Sequence, residues 1–279
     1  LEKDSVSIRY LEKMIEDCKK RGIDVLLTYI PFPAGENWYK EANRVYDIAE
    51  QYGVGYINFM ELDIVNYNTD LYDESHLNPS GARKVTDYLG QYIMEHYDIS
   101  DQRTNGSYNS WHEDYMDYED YKLKNLRAHE SLDNYLMLLA DKNYSVVVEI
   151  NNSEIWNNEN YMQLFENLGV NRDNITDDID FLVIKEAGKN VDYLKDFHRS
   201  QNSGETTLGK CSLFMAESGT YGVYLDDEEL YVVTPKQNQD VDIRIAVVDA
   251  ETTELLDISS FSSVGQAKQF KRISQSMEE

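Results

Sequence analysis

Residues 70–81 read Asp-Leu-Tyr-Asp-Glu-Ser-His-Leu-Asn-Pro-Ser-Gly, and an amphipathic run follows them as far as Tyr97. Within this stretch Asp73 precedes His76 by three residues. An aspartate can hold a histidine in one tautomer and stabilise its charged form, which a general base acting on a hydroxyl nucleophile requires. The stretch therefore predicts Asp73 and His76 as candidate catalytic residues in a loop that leads into a helix.

The segments on either side of this loop predict alternating helices and strands. Residues 23–30 form an apolar, β-branched run, which is typical of a strand buried on both faces, and residues 54–60 form a second short strand. The helix after the loop begins at a cap formed by Asn78 or Ser80. The order predicts a doubly wound α/β unit over residues 1–98. Two strands are too few to cover a sheet, so the unit is expected to be part of a larger three-layer domain.

The remaining residues predict a second, β-rich α+β domain. Residues 99–141 have a polar start and then a helical period, which indicates a helical connector. From Tyr144 the pattern changes to short strands separated by turns rich in Asn, Asp and Gly, with one helix near residues 158–168. We expect a sandwich-like domain at residues 142–264 and a polar tail at 265–279. The predicted strands are 145–150, 181–185, 211–215, 222–225, 229–233 and 243–249, and Asp226-Asp227 is a candidate hairpin turn.

Composition excludes several classes of function. The chain has 26 Lys and Arg against 52 Asp and Glu, a net charge of −26, which repels phosphate backbones and anionic membranes. We therefore expect no nucleic-acid partner. The sequence has no run long enough to span a membrane, and Cys18 and Cys211 support neither a disulfide framework nor a metal site. The chain begins with Leu1, so we expect a processed or truncated protein, with any signal or anchor upstream of it.

Two further sequence patterns resemble functional sites. Gly204 to Cys211 nearly matches a phosphate-binding loop, but a cysteine replaces the magnesium-binding hydroxyl and the following segment predicts a strand. His112 and His129 each lie beside a glutamate without a third ligand, which favours solvated helix residues. The sequence predicts neither a cofactor nor a metal.

The loop of residues 70–81 resembles a known family. Asp73-Glu74-Ser75-His76 matches the D-x-x-H block of SGNH (GDSL-type) hydrolases, and Leu77 to Gly81 match the sequence that usually follows it. Residues 1–98 resemble the C-terminal half of such a domain. The resemblance implies that His76 is the base and Asp73 its partner.

Other blocks of that family are not found in this chain. The nucleophilic serine lies in an N-terminal Gly-Asp-Ser block, and Ser5, which follows Asp4, lacks the preceding strand and glycine and is predicted to cap a helix. The resemblance is greatest to bacterial exported proteins that work beside membrane-bound O-acyltransferases. It implies an esterase or acyltransferase acting on acylated polysaccharide or cell-wall polymer, located outside the cell or on its surface. Residues 1–279 alone are expected to be inactive.

The second domain resembles the β-sandwich module named after the interleukin-like EMT inducer. Carbohydrate binding is sometimes proposed for such modules, which leaves a non-catalytic alternative. In that alternative the β-rich domain binds a surface polymer or a partner, and the α/β part is a scaffold. The segments that carry the resemblance are Cys211 to Phe214, Tyr224 to Tyr231, Asp242 to Asp249, Leu256 to Ile258 and Phe261.

Overall fold

A computed structural model describes residues 6–140, 144–187, 189–199, 202–263 and 270–273. The chain divides into two compact units, Leu1–Tyr97 and Asp98–Glu279. About 41% of the residues are helical and 28% lie in strands, so the predicted mixed α/β class is confirmed at that level. The two units are described separately below.

Unit 1 has the predicted order of helices and strands, built around a parallel pair of strands. Leu26 is paired with Gly55 and Tyr29 with Asn58, and the connecting helix ends at Gly53, whose φ of 62° suits a glycine. The buried residues Ile57, Phe59 and Val85 form a small core between the second strand and the last helix. The elements are α1 (Val6–Lys20), β1 (Leu26–Tyr29), α2 (Glu36–Tyr52), β2 (Gly55–Asn58) and α3 (Pro79–His96).

The first strand differs from its prediction. The apolar run at residues 23–30 was expected to be a strand buried on both faces, whereas β1 has four residues, and Ile23 and Ile30 at the ends of the run are exposed. Because the described sheet of unit 1 has two strands, β1 has a single strand neighbour, and an apolar run cannot be covered on all sides by one neighbour.

Unit 2 contains two antiparallel sheets. One has six strands in the order β12-β11-β10-β3-β4-β5, and the other has four in the order β6-β7-β8-β9. The helices are α4 (Asn109–Ala128), α5 (Leu132–Leu139) and α6 (Glu159–Asn167). The strands are β3 (Tyr144–Ile150), β4 (Ile179–Lys185), β5 (Asn190–Lys195), β6 (Asn202–Thr206), β7 (Gly209–Met215), β8 (Tyr221–Leu225), β9 (Glu228–Val233), β10 (Ile243–Asp249), β11 (Leu255–Ser262) and β12 (Lys271–Ile273).

The six-stranded sheet is covered on both faces. Val146 and Val148 of β3 belong to a core with residues of α5 and α6, while the neighbouring Val147 belongs to a core with the four-stranded sheet. Since successive side chains of a strand point to opposite faces, β3 packs against helices on one side and against a sheet on the other. Unit 2 is thus a layer of helices, a six-stranded sheet and a four-stranded sheet.

Two segments that were predicted to lie outside the β-rich domain belong to unit 2. Residues 99–141 were expected to form a separate connector, yet Leu132 and Leu136 of α5 are fully buried in the core of unit 2. The polar tail was expected from residue 265, yet Phe270 is buried and β12 pairs with β11. Both differences arise from long-range packing, which the local polarity of a segment does not reveal. The rest of the predicted tail, residues 265–269 and 274–279, lies outside the described residues.

Two predictions for the four-stranded sheet are confirmed, the Asp226-Asp227 turn and the strand that follows the near-match to a phosphate loop. Asp226 and Asp227 have φ values of 50° and 65° and join β8 to β9, as expected for a two-residue hairpin turn. The near-match to a phosphate loop lies in the hairpin of β6 and β7, where Thr206 is paired with Gly209. The residues after Gly209 form a strand, so the segment lacks the helix N-terminus that would bind a phosphate.

Limited proteolysis should cut between Ser100 and Trp111 and leave a folded C-terminal fragment. Every residue of this window is exposed, and trypsin has a target there in Arg103. Unit 2 has its own core, so the released fragment should keep its β-rich circular dichroism spectrum. Mass spectrometry of a trypsin time course identifies the cut. Absence of any stable fragment starting in or after the window would contradict two independent units.

Candidate functional site

The loop that carries Asp73 and His76 is a tight turn on a short hairpin. Leu71 and Leu77 form an antiparallel bridge, and the backbone N–H of Tyr72 donates to the carbonyl of His76 at 2.8 Å. These contacts place Asp73 and His76 at the tip of the turn. The hairpin thereby holds the two candidate side chains within reach of each other.

The carboxylate of Asp73 organises the turn. Its Oδ1 accepts hydrogen bonds from the backbone N–H groups of Ser75 and His76, both at 2.9 Å. The Nδ1 atom of His76 lies 2.8 Å from Oδ1 and 2.9 Å from Oδ2. With Nδ1–H donating to the carboxylate, the neutral imidazole keeps the lone pair on Nε2, the arrangement of a general base.

The pair lies at the surface. The side chain of His76 is 75% exposed and that of Asp73 is 52% exposed. The Nε2 atom of His76 makes no hydrogen bond within the part of the chain that the structure describes. Nε2 is therefore open to a hydroxyl group supplied by another segment or molecule.

The hydrogen bonds lower the pKa of Asp73. The backbone N–H of Ser75 is the largest cause, and the hydrogen bond from the His76 side chain is the next. Both favour the ionised carboxylate. Because the pKa is lowered in the folded chain, the stabilisation from these bonds is present above the ordinary pKa of the group, 3.8, and is lost as the pH falls through the lowered pKa.

We expect the pKa of Asp73 to stay below 3.8 in His76→Ala, although less far below it than in the native chain. The Ser75 N–H remains after the substitution and the imidazole bond is lost. Carboxyl-carbon NMR during acid titration measures this pKa directly. A return to the ordinary value in His76→Ala would mean that the Ser75 bond does not form in solution.

Neither Ser75 nor Ser5 is placed by the structure as a nucleophile for His76. Ser75 lies near the ring, but its Oγ is 3.3 Å from Nδ1, the nitrogen that Asp73 occupies, and its nucleophilic activation would need Nε2. Ser5, predicted as a helix cap, lies outside the described residues. The described residues place no serine hydroxyl in contact with Nε2 of His76.

Buried contacts fix this loop to α3. The sequence pattern did not predict these contacts. The carboxylate of Asp70 is fully buried and receives hydrogen bonds from Ser80 and Lys84. Asn78 is the helix cap, as predicted, since its Oδ1 accepts from the backbone N–H of Gly81 at 3.1 Å. The sequence signal for the Asp70 contact would have been the charged pair itself, but its members are 14 positions apart.

Unit 2 contains a second polar cluster, between its six-stranded and four-stranded sheets. Glu149 of β3 and Arg244 of β10 are paired across neighbouring strands, and both side chains are 0% exposed. The hydroxyl groups of Tyr221 and Tyr231 both donate to Glu149. Burial, and after it the charge of Glu149, raise the pKa of both phenols, so they remain protonated donors. A charged residue in each of two apolar strands was the available sequence signal.

An open cleft of about 730 Å³ lies beside this cluster. Tyr221, Asn238 and His198 line it together with Asp180. Oδ1 of Asn238 accepts from Tyr221 and Arg244, both at 3.1 Å. The Nε2 atom of His198 is buried, lies 3.8 Å from Glu149 and has no hydrogen-bond partner among the described residues. The cleft is therefore lined by polar side chains, while Nε2 of His198 is buried and faces Glu149.

The described ranges contain neither a cluster of candidate metal ligands nor a helix that could span a membrane. No group of three or more His, Cys, Asp and Glu residues there could hold a metal ion. His112 is exposed on α4 and His129 follows the end of that helix. Among the described helices, none is long and apolar enough to cross a membrane.

Comparison of the chain with protein-family models, with curated proteins and with solved structures finds no match in any of the three.

Proposed function

We propose that Asp73 and His76 are the base half of a serine-dependent, ester-cleaving site of the SGNH type. The main support is the geometry of the His76 ring. Its Nδ1 is within hydrogen-bond distance of the Asp73 carboxylate, and its Nε2 has no hydrogen-bond partner among the described residues. The D-x-x-H spacing and the position of the loop, between β2 and the last helix of an α/β unit, also support the proposal. The serine would come from sequence outside residues 1–279.

The residues would act in four steps. Nε2 of His76 removes the proton of the serine hydroxyl as its oxygen attacks the ester carbonyl. The carboxylate of Asp73 stabilises the imidazolium that forms. His76 then gives the proton to the departing alcohol, and an acyl-serine remains. Water, or the hydroxyl of an acceptor sugar, then attacks the acyl group while His76 removes its proton. His76 passes that proton to the serine oxygen as the acyl–serine bond breaks, which gives hydrolysis or acyl transfer and restores the neutral imidazole.

The substrate class follows from the same family resemblance. We propose an acylated polysaccharide or cell-wall polymer as substrate, a membrane-bound O-acyltransferase as a possible partner, and a location outside a bacterial cell or on its surface. The strongly acidic chain, with a net charge of −26, favours neutral or cationic polymers over anionic ones.

The test uses the chain extended by its natural upstream residues. The extended protein should hydrolyse a short acyl ester and react with a serine-directed fluorophosphonate probe, and residues 1–279 alone should do neither. Peptide mapping of the labelled protein identifies the serine. An extended protein that contains a Gly-Asp-Ser block yet does not react with the probe would contradict the proposal.

The cleft of unit 2 favours a second candidate, the non-catalytic binding of a polymer or partner. The lining of the cleft provides hydrogen-bond donors and acceptors from His198, Asp180 and Asn238. Such mixed groups suit ligands that carry hydroxyl or amide groups. In this candidate the binding residues belong to unit 2, and Asp73 and His76 have no chemical role.

Calorimetric titration with cell-wall polysaccharide fragments tests this candidate. Binding should be lost in His198→Ala and kept in His112→Ala, which removes an exposed histidine of α4. Equal binding by both variants would exclude the cleft.

A further inference from the structure

The buried carboxylate of Asp70 accepts hydrogen bonds from α3 and from the residues before the hairpin. Its Oδ1 accepts from Oγ of Ser80 at 3.0 Å, and its Oδ2 accepts from the backbone N–H of Asn66 at 2.8 Å and from Nζ of Lys84 at 2.7 Å. The Asp70 side chain is 0% exposed and that of Lys84 is 29% exposed. A carboxylate buried this deeply is tolerated only where opposite charge and hydrogen bonds compensate for the lost water.

The backbone around Asp70 is held against the first turn of α3. Its carbonyl accepts from the N–H of Asn78 at 2.9 Å, and the Asn78 amide donates to the carbonyl of Thr69 at 2.7 Å. A Cβ atom on Gly81 would lie 2.4 Å from the carbonyl oxygen of Asp70, so only glycine permits this approach. Both ends of the hairpin are therefore fixed to the same helix.

The Asp73–His76 pair has no comparable support of its own. Exposed ion pairs contribute about 0–1 kcal/mol because water competes for both groups. Beyond the backbone bonds that Asp73 accepts, the order of the turn depends on its base, through the Leu71–Leu77 bridge and the bond from Tyr72 to His76. Asp70 is three residues before Asp73, at the start of this path.

We propose that Asp70, with Lys84 and Ser80, is a positioning residue that keeps His76 in the tautomer required of a base. Its catalytic meaning rests on the proposed function, but its effect on the imidazole does not. Asp70→Asn keeps the shape of the side chain, removes the charge that holds Lys84 and replaces an acceptor by a donor. The turn should then loosen, and the Nδ1–H of His76 should lose its fixed acceptor.

The test is the tautomer of His76, read from long-range ¹H–¹⁵N NMR spectra of residues 1–279 at a pH where the ring is neutral. The native chain should show mainly the Nδ1–H form. Asp70→Asn should lower the ratio of Nδ1–H to Nε2–H severalfold, as Asp73→Asn does. Lys84→Met should also lower this ratio. Lys84→Arg should leave the ratio at its native value because arginine keeps the positive charge.

Asn58→Ala is the control for a general loss of stability. Asn58 is buried in unit 1 and bonds to Met60 and Glu61, not to the hairpin, so its removal should lower stability without changing the tautomer. Should Asp70→Asn fail to fold, Lys84→Met and Ser80→Ala decide the question. A native tautomer ratio in folded Asp70→Asn, or in both of the other variants, overturns the inference.

This outcome is separate from the fate of the proposed function. A shifted tautomer in Asp70→Asn, together with an extended chain whose activity does not depend on His76, would keep the positioning role and remove the catalytic one. If the extended chain is active and depends on His76, while the tautomer is unchanged in Asp70→Asn, the catalytic role is kept and the positioning role is removed.

Discussion

His76→Ala should lower ester hydrolysis by the upstream-extended chain by roughly 10²–10⁴-fold, the range that a positioned general base contributes. In the proposed mechanism Nε2 removes the serine proton, and alanine would leave no group in its place. The loss should fall on kcat, because the proton moves in the transition state and the substrate need not contact the imidazole. Steady-state kinetics with a short acyl ester measure it.

His112→Ala is the matched control, since it removes an exposed histidine from α4 and should leave the kinetics unchanged. Both substitutions should leave the free energy of unfolding within about 0.5 kcal/mol, as expected for exposed side chains. Asp73→Asn should lower kcat as well, because the tautomer is no longer fixed. An extended chain that reacts equally well without His76 would remove the catalytic role of the pair.

Arg244→Met should destabilise unit 2 by about 3–5 kcal/mol, which is the usual effect of leaving one charge of a buried pair without its partner. Glu149 would remain buried between the two sheets, where Tyr221 and Tyr231 still donate to it but the guanidinium no longer balances its charge. Methionine keeps much of the arginine volume, so the effect reports the charge more than a cavity. Hydrogen exchange of the β3 and β10 amides measures the loss within unit 2.

Two variants separate this cause from others. Glu149→Gln combined with Arg244→Met removes both charges and should be more stable than Arg244→Met alone. Arg172→Met tests the same change at the surface, where Arg172 pairs with Glu159 and Glu166, and should change the free energy of unfolding by about 1 kcal/mol or less. A double variant no more stable than the single one would show that packing, not charge, dominates at Arg244.

The local elements follow from the sequence because their causes are local. Helical periodicity and Gly53 predict α2, and Asn78 with Pro79 predicts the start of α3, as observed. Asp226-Asp227 predicts the hairpin of β8 and β9 for the same reason. Asp73 and His76 are only three positions apart, so a turn alone brings their side chains together.

Other elements were not predicted from the sequence because their stability comes from partners far along the chain. The strands β5, β6 and β12 lack an apolar run of their own, and β12 is stabilised by its pairing with β11. The buried face of α5 was visible as a pattern, but the pattern does not name the sheet that covers it. Periodicity indicates that a face is buried and leaves open which surface buries it.

By itself, then, the sequence determined the α/β order of unit 1, the β-rich character of unit 2 and the Asp73–His76 pair. Only the tertiary structure decided which residues support that pair and which polar residues lie between the two sheets of unit 2. Lys84 reaches Asp70 across 14 positions, and Arg244 reaches Glu149 across 95. Both contacts neutralise a carboxylate buried away from water, and burial is a property of the packed chain that no local stretch of residues specifies.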